Sequence, residues 1–349
     1  MCPAQFDETR DEMSSHVSTP KPRSAALAAL AAIAALALSA CAPAAEAESE
    51  QAASGATAET TATITDNHGE VEVPVNPERV VALDNHVFET LDEWDVPLVA
   101  APKGIMGTAW PDYTDDPEIA DVGTHREPNL EAIVAAQPDL IIGGYRFSES
   151  YDTIVEQNPD AAVIEIAPRD GEDPMEELKR ETEILGQIFD REDEAAELVS
   201  ELDQSIADAK QAYNGSDTVI GLITSGGKIE FAAPVTGRSV GPVFSALDLR
   251  PAIEQEAEDT SHGDDISVEA IAEANPDWIV VLDRDASFAE PEPGAVPADE
   301  LIAGSEALQG VTAVAKDQVV YLDSDFYLTE DIQAYTELYE QIQEAFAGA

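Results

Sequence analysis

The sequence predicts an α/β protein built as two lobes joined by one long helix, and three observations predict it. Short apolar runs bounded by Asp, Gly or Pro alternate with helical patterns. One long helical stretch free of Gly and Pro divides that alternation into halves. Each half carries a version of the same 18-residue segment at a constant offset of 138 positions.

The chain starts with segments that lie outside the lobes. Lys21 and Arg23 precede an apolar run from Ala25 to Leu38, 14 residues long. A bilayer-spanning helix needs roughly 20 residues, so this run reads as the core of a signal peptide over residues 1–40. Met13 suits the start better than Met1, because Asp7, Glu8, Asp11 and Glu12 fit poorly in a basic leader. The run ends Leu38-Ser39-Ala40-Cys41, which resembles a bacterial lipobox in which Cys41 is acylated and becomes the first mature residue. Residues 41–62 then lack any large apolar side chain and read as a flexible tether. Its reach is roughly 25 Å.

The first lobe is expected over residues 63–190. It opens on TITDNHGEVEVP, which alternates apolar and polar residues around Asn67-His68-Gly69, a hairpin signal. Val80–Leu83, Leu140–Ile142 and Val163–Ile166 follow as buried strands. The interlobe helix is placed at 191–214, with Ala195, Leu198, Val199, Leu202 and Ile206 three and four residues apart. Its Gly- and Pro-free stretch, Glu192 to Tyr213, spans about 33 Å as a helix. The second lobe, 215–349, repeats the rhythm with strands at Val219–Ile223, Trp278–Leu282 and Val319–Leu322. Both lobes are read as Rossmann-like, with a ligand cleft between them.

The repeat fixes where to look for a site. Residues 129–146 read NLEAIVAAQPDLIIGGYR, and residues 267–284 read SVEAIAEANPDWIVVLDR. They share Glu131/Glu269, Ala132/Ala270, Ile133/Ile271, Ala136/Ala274, Pro138/Pro276, Asp139/Asp277, Ile141/Ile279 and Arg146/Arg284. Each copy parses as a helix beginning near its Glu, a Pro-Asp break, a buried strand, and an Arg just past the strand's C-terminal end. Ligands of open α/β sheets bind beyond those ends, so Arg146 and Arg284 are expected at one shared cleft. Each Glu sits at a helix start, where the dipole favours an acid.

Composition excludes several classes. With 72 acidic against 17 basic residues the formal net charge is −55, which rules out nucleic acid and anionic membrane surfaces as partners and reads as solubility or salt adaptation. The two cysteines, Cys2 and Cys41, lie outside the lobes, so no disulfide or thiolate metal site is expected in the fold. His68, His86, His125 and His262 are scattered, against a zinc or manganese cargo site. Gly221–Lys228 misses the phosphate-loop spacing by one residue, and Ile229 replaces the needed hydroxyl. Gly237-Arg238-Ser239-Val240-Gly241 fits the G-x-S-x-G of a serine hydrolase, making a lipid-anchored esterase the alternative from another class. Ala233-Pro234 interrupts the strand-to-helix elbow, and His262 is the one later histidine.

With the hairpin, PERVVAL, the two E-A-I-x-x-x-x-P-D-x-I segments and the long helix, residues 63–349 resemble the substrate-binding proteins of iron-siderophore and cobalamin ABC importers. YRFSESYD, TGRSVGPVFSALDL, DTSHGDDIS, VLDRD and YLDSDFYL are most similar to binders of ferric catecholates, including petrobactin-like ligands. The resemblance implies that Arg146, Arg238 and Arg284 surround the catecholate oxygens. It implies that His262 and Tyr327 fill iron positions left open by a tetradentate ligand, and that Glu131 and Glu269 meet arginines on the permease. It further implies no catalytic residue, no intrinsic cofactor, and a monomer anchored by lipid on the outer face of the plasma membrane. Its partners are then a ferric siderophore and an ABC permease with its ATPase, haem or cobalamin being the alternative cargo. Thr329-Glu330-Asp331 departs from the glycines and aromatic pair the family often has after this Tyr. Ferric iron prefers anionic oxygen and accepts imidazole, and guanidinium groups pair and stack with a delocalised anion.

Overall fold

The computed structural model describes residues 60–260, 262–288 and 293–349. The signal segment, Cys41 and nearly all of the tether lie outside the described residues.

The opening hairpin pairs Thr61–Thr65 with Glu70–Pro74, so regular structure begins two residues before the expected Thr63. Ile64 and Val73 turn inward while Thr63 and Glu72 face water, as period-two alternation demands. The first sheet is parallel throughout, in the order Ala120–Asp121, Leu98–Ala101, Val80–Ala82, Leu140–Gly143, Ala162–Glu165. The second is mixed. Thr218–Ser225, Trp278–Asp283 and Val319–Tyr321 run parallel, while Lys228–Ala232 and Asp264–Asp265 add antiparallel partners at one edge. The apparent phosphate loop is the Thr218–Ser225 strand and the turn into Lys228.

The duplicated segments fold alike for identifiable reasons. Asn129 and Ser267 cap the helices Leu130–Ala136 and Val268–Ala274, accepting from Ala132 N and Ala270 N at 3.3 and 3.1 Å. Gln137 and Asn275 end them in the left-handed region, at φ 49° and 46°. Proline follows and the helix cannot continue. The next carboxylate then ties two strands together. Asp139 accepts from Glu78 N and Arg79 N at 2.8 and 3.0 Å, and Asp277 accepts from Thr218 N at 2.9 Å. Each Pro-Asp thus fixes the entry of its own strand beside that of the neighbouring central strand.

The long helix runs Glu192–Ala212, burying Ala195, Leu202, Ser205 and Ala209 with Leu198, Val199 and Ile206 at its margin. It packs on the helix Pro174–Phe189 and on the C-terminal helix Ile332–Ala347. Gly186 permits the first contact, since a Cβ there would lie 2.7 Å from that of Ala195. The C-terminal helix and the turn Phe326–Thr329 before it also reach back to the first half. Tyr339 Oη lies 3.3 Å from Met175 Sδ, Gln333 donates to Thr90 Oγ1 at 3.1 Å, and Asn85 donates to Leu328 O at 2.8 Å. One core of buried side chains runs from Val80 and Ile164 through Leu202 to Val280 and Phe346.

Candidate functional site

Tyr327 stands on the short helix Phe326–Thr329 and is 5% exposed. Three guanidinium carbons surround its ring, with Arg238 at 4.1 Å, Arg284 at 5.0 Å and Arg146 at 5.6 Å from the centroid. Arg146 lies just beyond the strand Leu140–Gly143 and Arg284 just beyond Trp278–Asp283. The C-terminal ends of the two sheets therefore meet at one phenol. Phe288 completes the aromatic wall, edge-on to Tyr327 with centroids 5.8 Å apart, and Tyr145 lies 5.1 Å from Arg146.

Arg238 differs from the other two. It reaches the site from the turn between Lys228–Ala232 and the helix Gly241–Leu247, where Ser239 takes φ 60°. Its Nε donates to both oxygens of Glu330 at 3.1 Å, Nη2 donates to Glu330 Oε2 at 2.5 Å, and Nη1 donates to Tyr327 Oη at 3.2 Å. Glu330 also accepts from Ser239 Oγ at 2.5 Å and from Tyr145 Oη at 3.1 Å. Burial would raise its carboxyl, but Arg238 outweighs burial and holds it below the ordinary value. Glu330 is the residue that sequence reasoning treated as a departure, and here it anchors the central arginine.

Arg146 and Arg284 keep donors unanswered. Arg146 Nε and Nη2 and Arg284 Nε are buried with no hydrogen-bond partner, while Arg284 Nη1 donates to Ser225 Oγ at 3.0 Å. Three guanidinium groups face two carboxylates, Glu330 beside Arg238 and Asp285 with an oxygen 3.9 Å from Arg284 Nη1, so the cluster keeps a net positive charge within a strongly acidic chain. The field reaches the phenol. Burial pushes the Tyr327 hydroxyl up, yet Arg238, with Arg284 and Arg146, brings it below the usual tyrosine value. Such a site offers stacking surfaces, fixed donors and a phenol whose ionisation the arginines favour to a planar anion.

The other expected residues sit apart. His262 is exposed, its backbone N–H donating to Asp259 Oδ1 at 3.1 Å and its ring Nδ1 lying 3.6 Å from Asp259 Oδ2. Among the described residues no hydrogen bond or ring contact joins it to Tyr327, although the half-buried Glu230 lies in the fields of both His262 and Arg284. His125 was not singled out by sequence. It lies near Arg146, and burial together with that charge lowers its imidazole. Glu131 and Glu269 are exposed in the first turns of the matched helices. The Ser239 hydroxyl is engaged by Glu330, and eight residues separate the preceding strand from the next helix. A separate cavity of about 920 Å³ is lined by acids including Glu89, Glu201, Asp325 and Glu337, and by none of the three arginines.

The chain is similar to known siderophore-binding proteins. The petrobactin-binding protein YclQ of Bacillus subtilis is 29% identical over 285 residues, covering 80% of this chain and 85% of that protein. Its crystal structure superposes with a TM-score of 0.71 at 28% identity, covering 82% of this chain and 99% of that one. The ferric-anguibactin-binding protein FatB of Vibrio anguillarum is 29% identical over 273 residues, 78% of this chain and 83% of that protein. The siderophore-binding protein BauB, solved with two molecules of acinetobactin and ferric iron, gives a TM-score of 0.70 at 25% identity, covering 82% and 99%. A family model described as periplasmic binding protein matches residues 80–326, and the chain belongs to that family.

Proposed function

We infer that this protein captures a ferric siderophore, of the catecholate class, outside the cytoplasm and delivers it to an ABC permease. One observation carries the reading. Buried guanidinium N–H groups of Arg146 and Arg284 have no acceptor, and they flank an aromatic ring beside a third arginine. Buried donors left unpaired are costly, so the cluster calls for an anionic, acceptor-rich and flat guest. A ferric catecholate has those properties. The relatives named for petrobactin and ferric anguibactin support the same cargo class. The family relationship supports a binding protein over an enzyme, as does a Ser239 held by a carboxylate with no imidazole bonded to it among the described residues. Tyr327 supplies a phenolate to iron when the siderophore is tetradentate, with His262 reaching the same ion from its exposed loop.

Tryptophan-quenching titrations against ferric catecholates, ferric hydroxamates, haem and cobalamin test this. Hydrogen bonds to charged groups are worth about 1.5–3 kcal/mol, so Arg146→Ala and Arg284→Ala should each weaken a ferric catecholate roughly ten- to a hundredfold. Neutral hydroxamates should lose less. Tyr327→Phe and His262→Ala should weaken a tetradentate complex and shift its charge-transfer band, leaving a hexadentate one nearly unaffected. Equal losses for charged and neutral ligands, or preference for haem or cobalamin, would overturn the assignment.

A further inference from the structure

One aromatic layer away from the arginine cluster, three ionisable side chains from two distant stretches of chain meet in the interior. His86 tilts against Tyr145 with ring centroids 4.4 Å apart, and the Tyr145 hydroxyl in turn donates to Glu330. Asp84 follows the strand Val80–Ala82, His86 lies in the turn Asn85–Val87, and Glu181 projects from the helix Pro174–Phe189. They are 0%, 9% and 2% exposed. One donor atom from each lies within 4.8 Å of the other two.

Proximity of acids alone would mean little, but the hydrogen bonding here is incomplete. Asp84 Oδ2, His86 Nδ1 and both oxygens of Glu181 are buried without a hydrogen-bond partner. Asp84 Oδ1 is used by the backbone, accepting from His86 N at 3.0 Å. The adjacent cation does not answer Glu181. Arg180 donates to Glu177, Asn67, Ile166 O and Ala167 O. Arg238 is committed to Glu330. An interior carboxylate such as Glu181, with no donor, is costly, and one donor atom from each of the three side chains lies close enough to share a common partner.

The spacing and donor types suit a metal ion. Donors held about 2.1 Å from one ion lie roughly 3.0–3.4 Å apart in octahedral or tetrahedral geometry. His86 Nδ1 and Asp84 Oδ1 are 3.0 Å apart, an ion pair when the imidazole is protonated and equally a spacing that two ligands of one ion adopt. One imidazole with two carboxylates is a mixed nitrogen and oxygen set. Calcium and magnesium favour all-oxygen sites and copper(I) favours sulfur, whereas zinc and manganese accept this combination. A divalent charge also cancels two carboxylates. We propose that Asp84, His86 and Glu181 form a buried structural site for one divalent transition-metal ion of the zinc or manganese class, separate from the iron of the cargo. The ion clamps the Asn85–Val87 turn to the helix Pro174–Phe189. A lone histidine with carboxylates 2 and 95 positions away in sequence matches no ligand motif, so only folding reveals the set.

The test uses the purified protein without siderophore, so its outcome is independent of the cargo assignment. Metal content is measured after growth with zinc and manganese. Thermal unfolding is then followed after chelator dialysis and on adding ZnCl2 or MnCl2, with MgCl2 as control. The expected results are about one equivalent of zinc or manganese and a rise in Tm of about 5–10 °C at a hundredfold excess over Kd. Glu181→Gln keeps the shape and should remove both metal and Tm rise while preserving the far-UV spectrum. Asp84→Asn, measured alongside, should do the same, and serves if the first variant does not fold. Wild-type protein without metal and without a zinc- or manganese-dependent shift would sink the proposal, leaving a buried water or proton between these groups. Metal retained by folded Glu181→Gln and Asp84→Asn variants would place it on the acidic surface and refute the site equally.

Discussion

Replacing Glu330 by Gln should destabilise the protein while tightening its grip on anionic ligands. The carboxylate and Arg238 are both largely buried, with side chains 8% and 11% exposed, and three guanidinium contacts join them at 2.5–3.1 Å. Removing one member of a buried pair costs about 3–5 kcal/mol because the other charge stays behind, and the amide oxygen retains part of the bonding, so about 3 kcal/mol is expected. At about 2–4 °C per kcal/mol this corresponds to a fall in Tm of roughly 6–12 °C. Calorimetry at low and high salt should give nearly the same fall, since buried pairs are screened little. Adding Arg238→Met should restore part of the loss, because an apolar replacement of both partners leaves no stranded charge. Removing a negative charge beside Arg146 and Arg284 should also strengthen binding of an anionic ferric catecholate. A fall below about 2 °C, or a double variant losing the sum of both single losses, would refute the claim that Glu330 exists to answer Arg238.

The remaining predictions concern acid stability, docking and anchoring. Arg169, against opposing burial and with help from Arg180, holds the Glu177 carboxyl at about 2, below its ordinary 4.5. A depressed carboxylate stabilises above its unfolded pKa and loses that contribution as pH falls through the folded value. Glu177→Gln should therefore be less stable than wild type at pH 6, with the gap closing between about pH 4.5 and 2, as urea midpoints across that range would show. The paired variant Glu131→Arg with Glu269→Arg should abolish uptake and leave siderophore binding in solution intact, and loss of binding would reassign both residues to the site or the fold. Cys41→Ala should release the protein from membranes or leave it unprocessed, since two acyl chains at about 0.8 kcal/mol per methylene anchor stably. Retention with normal cleavage would exclude acylation there.

Much of the architecture could be read from the chain because the repeat carries both structure and site. The same spacing that places Asn129 and Ser267 at helix caps sets Arg146 and Arg284 past the ends of equivalent strands, and both arrive at Tyr327. What escaped has physical causes. The strand Leu98–Ala101 is half alanine and framed by prolines, so its apolar signal is weak. Glu330 takes a left-handed φ of 49° after a single helical turn, and no local pattern shows that it points at an arginine 92 residues earlier. Tyr145 figured in a recognisable stretch, but its bridging of His86 and Glu330 depends on tertiary packing. His262 is legible in a different way. Its loop was legible, while its partner in the structure is the nearby Asp259.

The chain is stitched across its midline twice, by Glu192–Ala212 and again by the return of residues 326–347 to Asn85, Thr90 and Met175. A wide rocking of one half against the other would have to strip the buried Asn85–Leu328 bond and slide Tyr339 off Met175. Each lost hydrogen bond costs about 1 kcal/mol, and the core that would open is continuous. Aperture is therefore a stiff coordinate in this molecule, and the Arg238–Glu330 pair makes part of the lining stiff as well. A guest therefore has to match the frame more than the frame bends to the guest, and selection by size is built into the core rather than into a hinge.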